Sequence, residues 1–220
     1  MESAVLWADF LTNRGRLIHK CAHYFPIYEE HLTRFVNRPV LLVEIGVARG
    51  GSLQMWKRFL GPLATIVGID INPGCRAVEE DQIHVRIGSQ ADTGFLGDVL
   101  AEFGVPDIVI DDGSHIMNDV NTTFAFLYSR IAAHGVYLVE DLQTAYWDRY
   151  GGGVKREGTF IEHCKDLIDQ LNAYNTEGVL APTDFTRTTT SMHIYDAVVV
   201  FEKGKHAPYR AVKTGGKSVK

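Results

Sequence analysis

A chain of 220 residues, 45% hydrophobic and 22% charged, has the size and composition of one globular domain with a substantial core. Its net charge of −5 gives a nucleic-acid partner no electrostatic support. Three scattered cysteines, Cys21, Cys75 and Cys164, argue against a disulfide framework or structural zinc site, and with no leader pattern and no apolar run able to span a bilayer, a cytoplasmic, membrane-free protein is expected.

In chain order, residues 1–38 read as a helical lead-in, with apolar and aromatic positions at Leu6, Phe10, Leu17, Tyr24, Tyr28 and Leu32. Within it, His19 to Phe25 (HKCAHYF) is expected to lie over a ligand pocket as a cap. Pro39 introduces a strand over 40–45, and a glycine turn from Gly46 to Gly51 leads into a helix over 52–59. A second strand, 65–69, stops at Asp70; Pro73 and Gly74 break the chain before a short helix. A third strand, 83–87, ends at Gly88-Ser89-Gln90, and a helix over 93–103 follows. The fourth strand, 107–110, ends at Asp111-Asp112-Gly113-Ser114-His115. A helix is expected over 118–133, closed by His134-Gly135 as a C-cap, and a fifth strand, 136–139, ends at Glu140-Asp141. Residues 142–158 form a long loop whose Gly151, Gly152 and Gly153 permit a mobile lid or, equally, a plain flexible loop, and 160–172 is an amphipathic helix. A Thr-rich stretch and residues 197–201 supply further strands, the last expected to run antiparallel at or near the sheet edge. The lysines at 203, 205, 213, 217 and 220 mark a solvated tail.

Strands alternating with helices imply right-handed βαβ units and a mainly parallel sheet covered on both faces. Ligands of such sheets bind beyond the carboxyl ends of the strands, where the strand order switches. Every acidic and glycine-rich motif of this chain falls at such an end. Glu44, Gly46, Gly50 and Ser52 frame the first turn, which is spaced G-x-x-x-G-G and is not a regular dinucleotide fingerprint. Asp70 stands where a carboxylate would grip a ribose diol, and Ser89 and Gln90 can meet an adenine edge. Asp111 faces the cofactor side or orients its own loop. Two doubly acidic strand ends with one imidazole between them are costly to assemble unless a cation or reactive substrate sits there.

The segments VEIGVARGGSLQMW, VGIDI, IGSQAD, IVIDDGSHIMNDV and YLVEDLQTAYW resemble the class I S-adenosylmethionine-dependent methyltransferases. More narrowly, they are similar to metal-dependent sugar O-methyltransferases, both the macrolide-sugar type and the mycobacterial type acting on mannose-containing oligosaccharides. The resemblance runs from about residue 18 to residue 204. It implies a Rossmann-like, doubly wound, seven-stranded α/β sheet, mainly parallel with one antiparallel strand near the edge. It divides the chain into a cap over 1–38, a methyltransferase domain over 39–204 and a tail over 205–220. It further implies S-adenosylmethionine and Mg²⁺ as cofactors, with Asp112, Glu140 and Asp141 as metal ligands and His115 as general base. Tyr146 and Trp147 are placed to stack on a sugar ring or to anchor the loop. His193 and Tyr195 read as packing residues. The expected partner is a small sugar or oligosaccharide, such as a mannoside of a mycobacterial methylated polysaccharide, and a homodimer is the expected assembly. The length leaves no room for the extra N-terminal domain of the macrolide enzymes, so a non-macrolide acceptor is expected. Two other classes stay open: an NAD-dependent oxidoreductase, which needs a regular G-x-G-x-x-G, and a non-catalytic nucleotide-binding module, which leaves His115 and the carboxylates unexplained.

Overall fold

The computed structural model describes residues 5–216; Lys217 and Lys220 of the expected tail, and the first four residues of the lead-in, lie outside the described residues. The strands are β1 Leu41–Ile45, β2 Thr65–Asp70, β3 Ile83–Ile87, β4 Ile108–Asp111, β5 Val136–Val139, β6 Thr189–Tyr195 and β7 Val198–Lys203. They form one sheet in the order β3-β2-β1-β4-β5-β7-β6. All pairs from β3 to β5 are parallel. Only β7 runs against its neighbours, β5 and β6. The strand order reverses direction between β1 and β4, which opens a crevice above their carboxyl ends.

Strand alternation divides the core into two layers. Leu42, Ile66, Ile108, Ile110, Val136 and Leu138 pack on one face against helices α1 (Val5–Leu11), α2 (Tyr24–Leu32) and α3 (Gly51–Leu60). Val43, Ile45, Val67, Val109, Tyr137 and Val139 pack on the other against α4 (Thr93–Phe103), α5 (Met117–Leu127) and α6 (Phe160–Leu171). A seventh, short helix, α7 (Asp184–Thr188), precedes β6. The N-cap side chain of Asp92 starts α4 by accepting from Gly94 and Phe95, and Thr159 starts α6 by accepting from Glu162, each satisfying amides that the first turn leaves free.

Two expectations need correction. The lead-in is not one helix: between α1 and α2 residues 13–20 have no helical turns, and Leu17 is 67% exposed instead of buried. Asn13 stops α1 by accepting from Gly15, and Gln54, 38 residues away, captures the Arg16 amide, so one local turn and one distant contact outcompete the helix. The helix expected to reach residue 133 ends at Leu127 and tightens into a 3₁₀ turn, Tyr128–Arg130. Ala132 then donates to Pro106 O at 2.8 Å, which draws the chain toward β4, and His134-Gly135 is the turn into β5 instead of a helix cap. Within the 142–158 loop, Gly151, Gly152 and Gly153 donate to Asp148, Trp147 and Ala145. A Cβ on Gly152 would come within 2.4 Å of Thr144 O, so this glycine permits a close backbone approach.

Candidate active site

β1 delivers Glu44 to the buried side of the crevice. Its carboxylate accepts from Ser52 Oγ at 2.7 Å and Trp56 Nε1 at 3.1 Å, both on α3. Burial pushes this carboxyl up, opposed by the ammonium of Lys20 and the Ser52 bond. The next turn needs glycine at position 46, where φ is +95° and a Cβ would stand 2.0 Å from the carbonyl oxygen of Asp112. That closeness brings the β1 and β4 ends together.

Asp70, at the end of β2, folds over the same turn. One oxygen accepts from the Val47 and Ala48 amides at 2.9 and 3.1 Å, and the other from Asn72 at 2.8 Å. Burial pushes its carboxyl up, but these backbone amides outweigh it and hold the group below the usual carboxylate value.

After β3, Gln90 is buried and wholly engaged: its amide nitrogen donates to Asp111 and Thr123, and its oxygen accepts from Ser114 N at 2.6 Å. Ser89 accepts from Ala91. Asp111 points inward to Gln90 and to the Tyr137 hydroxyl, and burial pushes its carboxyl up to about 7. Gln90 and Asp111 thus orient the Asp112–His115 loop.

Two connected cavities follow this path. One of about 170 Å³ is bounded by Ile45, Gly46, Ile69 to Ile71, Gly88 to Gln90 and Gly113. The other, about 450 Å³, is bounded by Leu17 to Lys20, Gly46 to Arg49, Asp112, His115 and Asp141. They share Gly46, Asp70 and Gly113, so one cleft runs from the β3 end to the paired acids.

At its far end His115 Nε2 lies 3.7 Å from Asp112 Oδ1 and 3.7 Å from Asp141 Oδ2. One ligand atom from each of the three residues falls within 4.8 Å of the other two. His115 and Asp141 have φ of 58° and 53°, a left-handed conformation that costs a non-glycine residue about 1–2 kcal/mol and that clusters at functional sites. The two carboxylates, Asp112 and Asp141, can hold a divalent cation and leave positions open, with the imidazole beside them.

Glu140 is placed differently. It is buried, and its two oxygens accept from the Tyr28 hydroxyl at 2.8 Å and from Lys20 Nζ at 2.8 Å. Lys20 Nζ also reaches Asp112 Oδ2 at 2.6 Å and Glu44 Oε1 at 3.4 Å. Burial works against the Lys20 charge, but Asp112 and Glu140 outweigh it, so its pKa rises and it stays an ammonium. Tyr24 completes the set by donating to Asp141 Oδ1 at 2.8 Å. Lys20, Tyr24 and Tyr28 were not assigned to carboxylates from sequence. The available signal was a single lysine inside an aromatic run expected to cap the pocket.

Tyr146 and Trp147 are 50% and 41% exposed, and neither lines the cleft; Tyr146 borders a separate cavity with Leu142, Ile161 and Ile194. Arg149 stacks over Trp147 with its guanidinium 4.8 Å from the ring centre. His193 and Tyr195 lie away from the cleft, packed around His31.

No protein-family model matches the chain. It is 38% identical over 198 residues to the 8-demethyl-8-(2-methoxy-α-L-rhamnosyl)-tetracenomycin-C 3′-O-methyltransferase of Streptomyces olivaceus, covering 84% of this chain and 50% of that protein. It is 36% identical over 197 residues to the mycinamicin VI 2″-O-methyltransferase of Micromonospora griseorubida, covering 84% and 49%. The chain spans about half the length of the curated relatives it matches. The MycE methyltransferase of the mycinamycin biosynthetic pathway, solved with Mg, SAH and mycinamycin VI, superposes with a TM-score of 0.80 at 35% identity, over 92% of this chain and 53% of that one. With this extent of identity over more than four fifths of the chain and a TM-score of 0.80, the chain belongs among the homologues of the sugar O-methyltransferases and carries their class I methyltransferase fold.

Proposed function

We propose that the chain is an S-adenosylmethionine- and Mg²⁺-dependent O-methyltransferase acting on a hydroxyl of a sugar or oligosaccharide. The observation that carries this reading is the convergence of Asp112, His115 and Asp141 at one end of a cleft whose other end lies beside Asp70 and Gly88–Gln90. The pair Asp112 and Asp141 fits a hard divalent cation, being carboxylate oxygen with room for water. When bound, Mg²⁺ supplies Lewis acidity that makes a hydroxyl a better nucleophile, and S-adenosylmethionine supplies an electrophilic methyl group.

The chain's own residues do the remainder. Gly46 and the Val47–Ala48 turn, braced by Asp70, shape the floor on which the methyl donor rests. Asp112 and Asp141 hold the cation. Glu140, fixed between Tyr28 and Lys20, supports Asp112 through the shared ammonium and can turn toward the cation if Lys20 withdraws. His115 Nε2 accepts the proton that the acceptor hydroxyl loses as its oxygen takes the methyl carbon. Trp147 and Tyr146 offer exposed aromatic surfaces to a sugar ring. Residues 1–38 act as the cap of this site, 39–204 as the catalytic domain and 205–220 as a tail. The acceptor is taken to be small, a mannoside of a methylated polysaccharide being one such sugar, in a cytoplasmic setting.

A panel of mono- and oligosaccharides with labelled methyl donor tests the reading. Transfer should vanish with chelator and return with Mg²⁺. Calorimetry should show S-adenosylmethionine binding and no NAD(H) binding; the reverse would favour an oxidoreductase. His115→Ala should keep donor affinity and lose about 10²- to 10⁴-fold in turnover. Near wild-type turnover in that variant would remove His115 from proton transfer.

A further inference from the structure

A second group of ligating side chains sits outside the cleft, where α2 crosses the β6–β7 hairpin. Glu30 and His31 of α2 and His193 of β6 each place one ligand atom within 4.8 Å of the other two. His31 is buried, His193 half-buried and Glu30 exposed.

The hydrogen bonds around His31 do not balance. Its Nδ1 lies 2.7 Å from Glu202 Oε1, a carboxylate that Arg34 also grips. In the neutral imidazole, that contact places the proton on Nδ1 and leaves Nε2 with a lone pair. Nε2 lies 3.0 Å from the Tyr195 hydroxyl, and the same hydroxyl lies 3.0 Å from Glu30 Oε2. Tyr195 has one proton to give and two acceptors facing it. His193 stands against His31 with ring centres 4.6 Å apart and brings a further ring nitrogen, its Nε2 3.0 Å from Ser191 Oγ. With the Ser191 hydroxyl facing His193, the excess lies at Tyr195, where His31 Nε2 and Glu30 Oε2 face a single donor. A bound cation removes that surplus. A histidine whose other nitrogen is held by a carboxylate is also the usual form of a zinc-ligating histidine.

We propose that Glu30, His31 and His193 form a Zn²⁺ site, with three protein ligands, a fourth position for water, and Glu202 orienting His31. Two nitrogens and one oxygen suit zinc and disfavour Mg²⁺, which prefers oxygen alone. The site joins α2 to the hairpin. The same helix carries Tyr24 and Tyr28, which hold Asp141 and Glu140, so zinc would brace the cap from its outer side.

The test is a Zn²⁺ titration of the chelator-stripped chain by calorimetry and thermal unfolding. It is run under saturating Mg²⁺ in the wild type, and again in Asp112→Asn to silence the acidic cluster. One Zn²⁺ per chain should bind in both, with a rise in Tm, and excess Mg²⁺ should not displace it. His193→Ala, a change outside the core, should weaken zinc by about 100-fold or more, and Glu202→Gln by about 10- to 100-fold. Glu30→Gln should weaken it as well without altering the apo fold. Equal zinc affinity in His193→Ala, or no zinc bound by the Asp112→Asn chain with its wild-type circular dichroism retained, would overturn the proposal; in the second case a proton on His31 meets the surplus.

Discussion

Lys20 brings one positive charge to within 3.4 Å of three carboxylates, Glu44, Asp112 and Glu140. Its side chain is only 3% exposed, so water does not screen these contacts. Removing one member of a buried ion pair costs about 3–5 kcal/mol because the partner is left uncompensated. Lys20→Met should lower stability by about that amount in urea unfolding with chelator present, and added Mg²⁺ should recover part of it. A variant as stable as wild type would show that the carboxylates are neutral without Lys20. Gly46 tests the neighbouring strand end. Gly46→Ala imposes both a left-handed backbone and a clash with the Asp112 carbonyl; together these should cost roughly 2–4 kcal/mol and abolish donor binding by calorimetry. Retained donor affinity would mean that the β1 and β4 ends can separate without harm to the site.

Elements that obey one strong local rule were legible from sequence. The strands β1 to β5 were found to within a residue or so at each end, because each is a short β-prone run bounded by Pro, Gly or a carboxylate. α4 was found to the residue, its Asp92 cap and Gly104 terminus both being sequence signals. The misplaced elements are those that long-range contacts decide. Nothing near Ala132 in sequence announces its bond to Pro106, and nothing near Leu17 shows that its carbonyl rests against Gly51. The site follows the same division. The acids and His115 announce themselves at strand ends, whereas the inward turn of Gln90, Asp111 and Glu140 depends on Thr123, Tyr137, Tyr28 and Lys20, residues 26 to 120 positions away. α6 offers a prediction at this scale. His163 packs between Phe124 and Phe160 with ring centres 5.9 and 6.0 Å away, and burial holds its imidazole below the ordinary value, with Asp166 pulling the other way. The unfolded chain therefore takes up this proton at a higher pH than the folded one. The stability His163 contributes is fully present above an unfolded pKa of ~6.5 and is lost as pH falls through the lower folded value. The urea midpoint should drop between pH 7.5 and pH 5.5, conditions chosen to bracket that range, and His163→Gln should reduce the drop. An identical slope in the variant would place the titration elsewhere.

At the scale of the whole molecule, the N-terminal segment and the sheet are one unit around the cleft. Leu17 to Lys20 line it from one side and the ends of β1, β2, β4 and β5 from the other. Filling the cleft should therefore slow amide exchange in residues 16–32 as well as at the strand ends. Protection confined to the strand ends would show that the segment moves independently of the ligand. Among the described residues no helix is long and apolar enough to cross a membrane. The place of β7 has a further consequence, for the order of events during synthesis. β5 carries Glu140 and Asp141 at its end, and its free edge is closed only by β7, through pairs such as Leu138 with Val200 and Val139 with Val199. Until residues near 203 have left the ribosome, the nascent chain presents an apolar, unpaired strand edge from Val136 to Val139, of the kind that recruits other strands. Some sixty residues of translation separate the first appearance of the paired acids from the strand that shields them, so the exposed interval of this chain's folding falls late, when its site is otherwise already built.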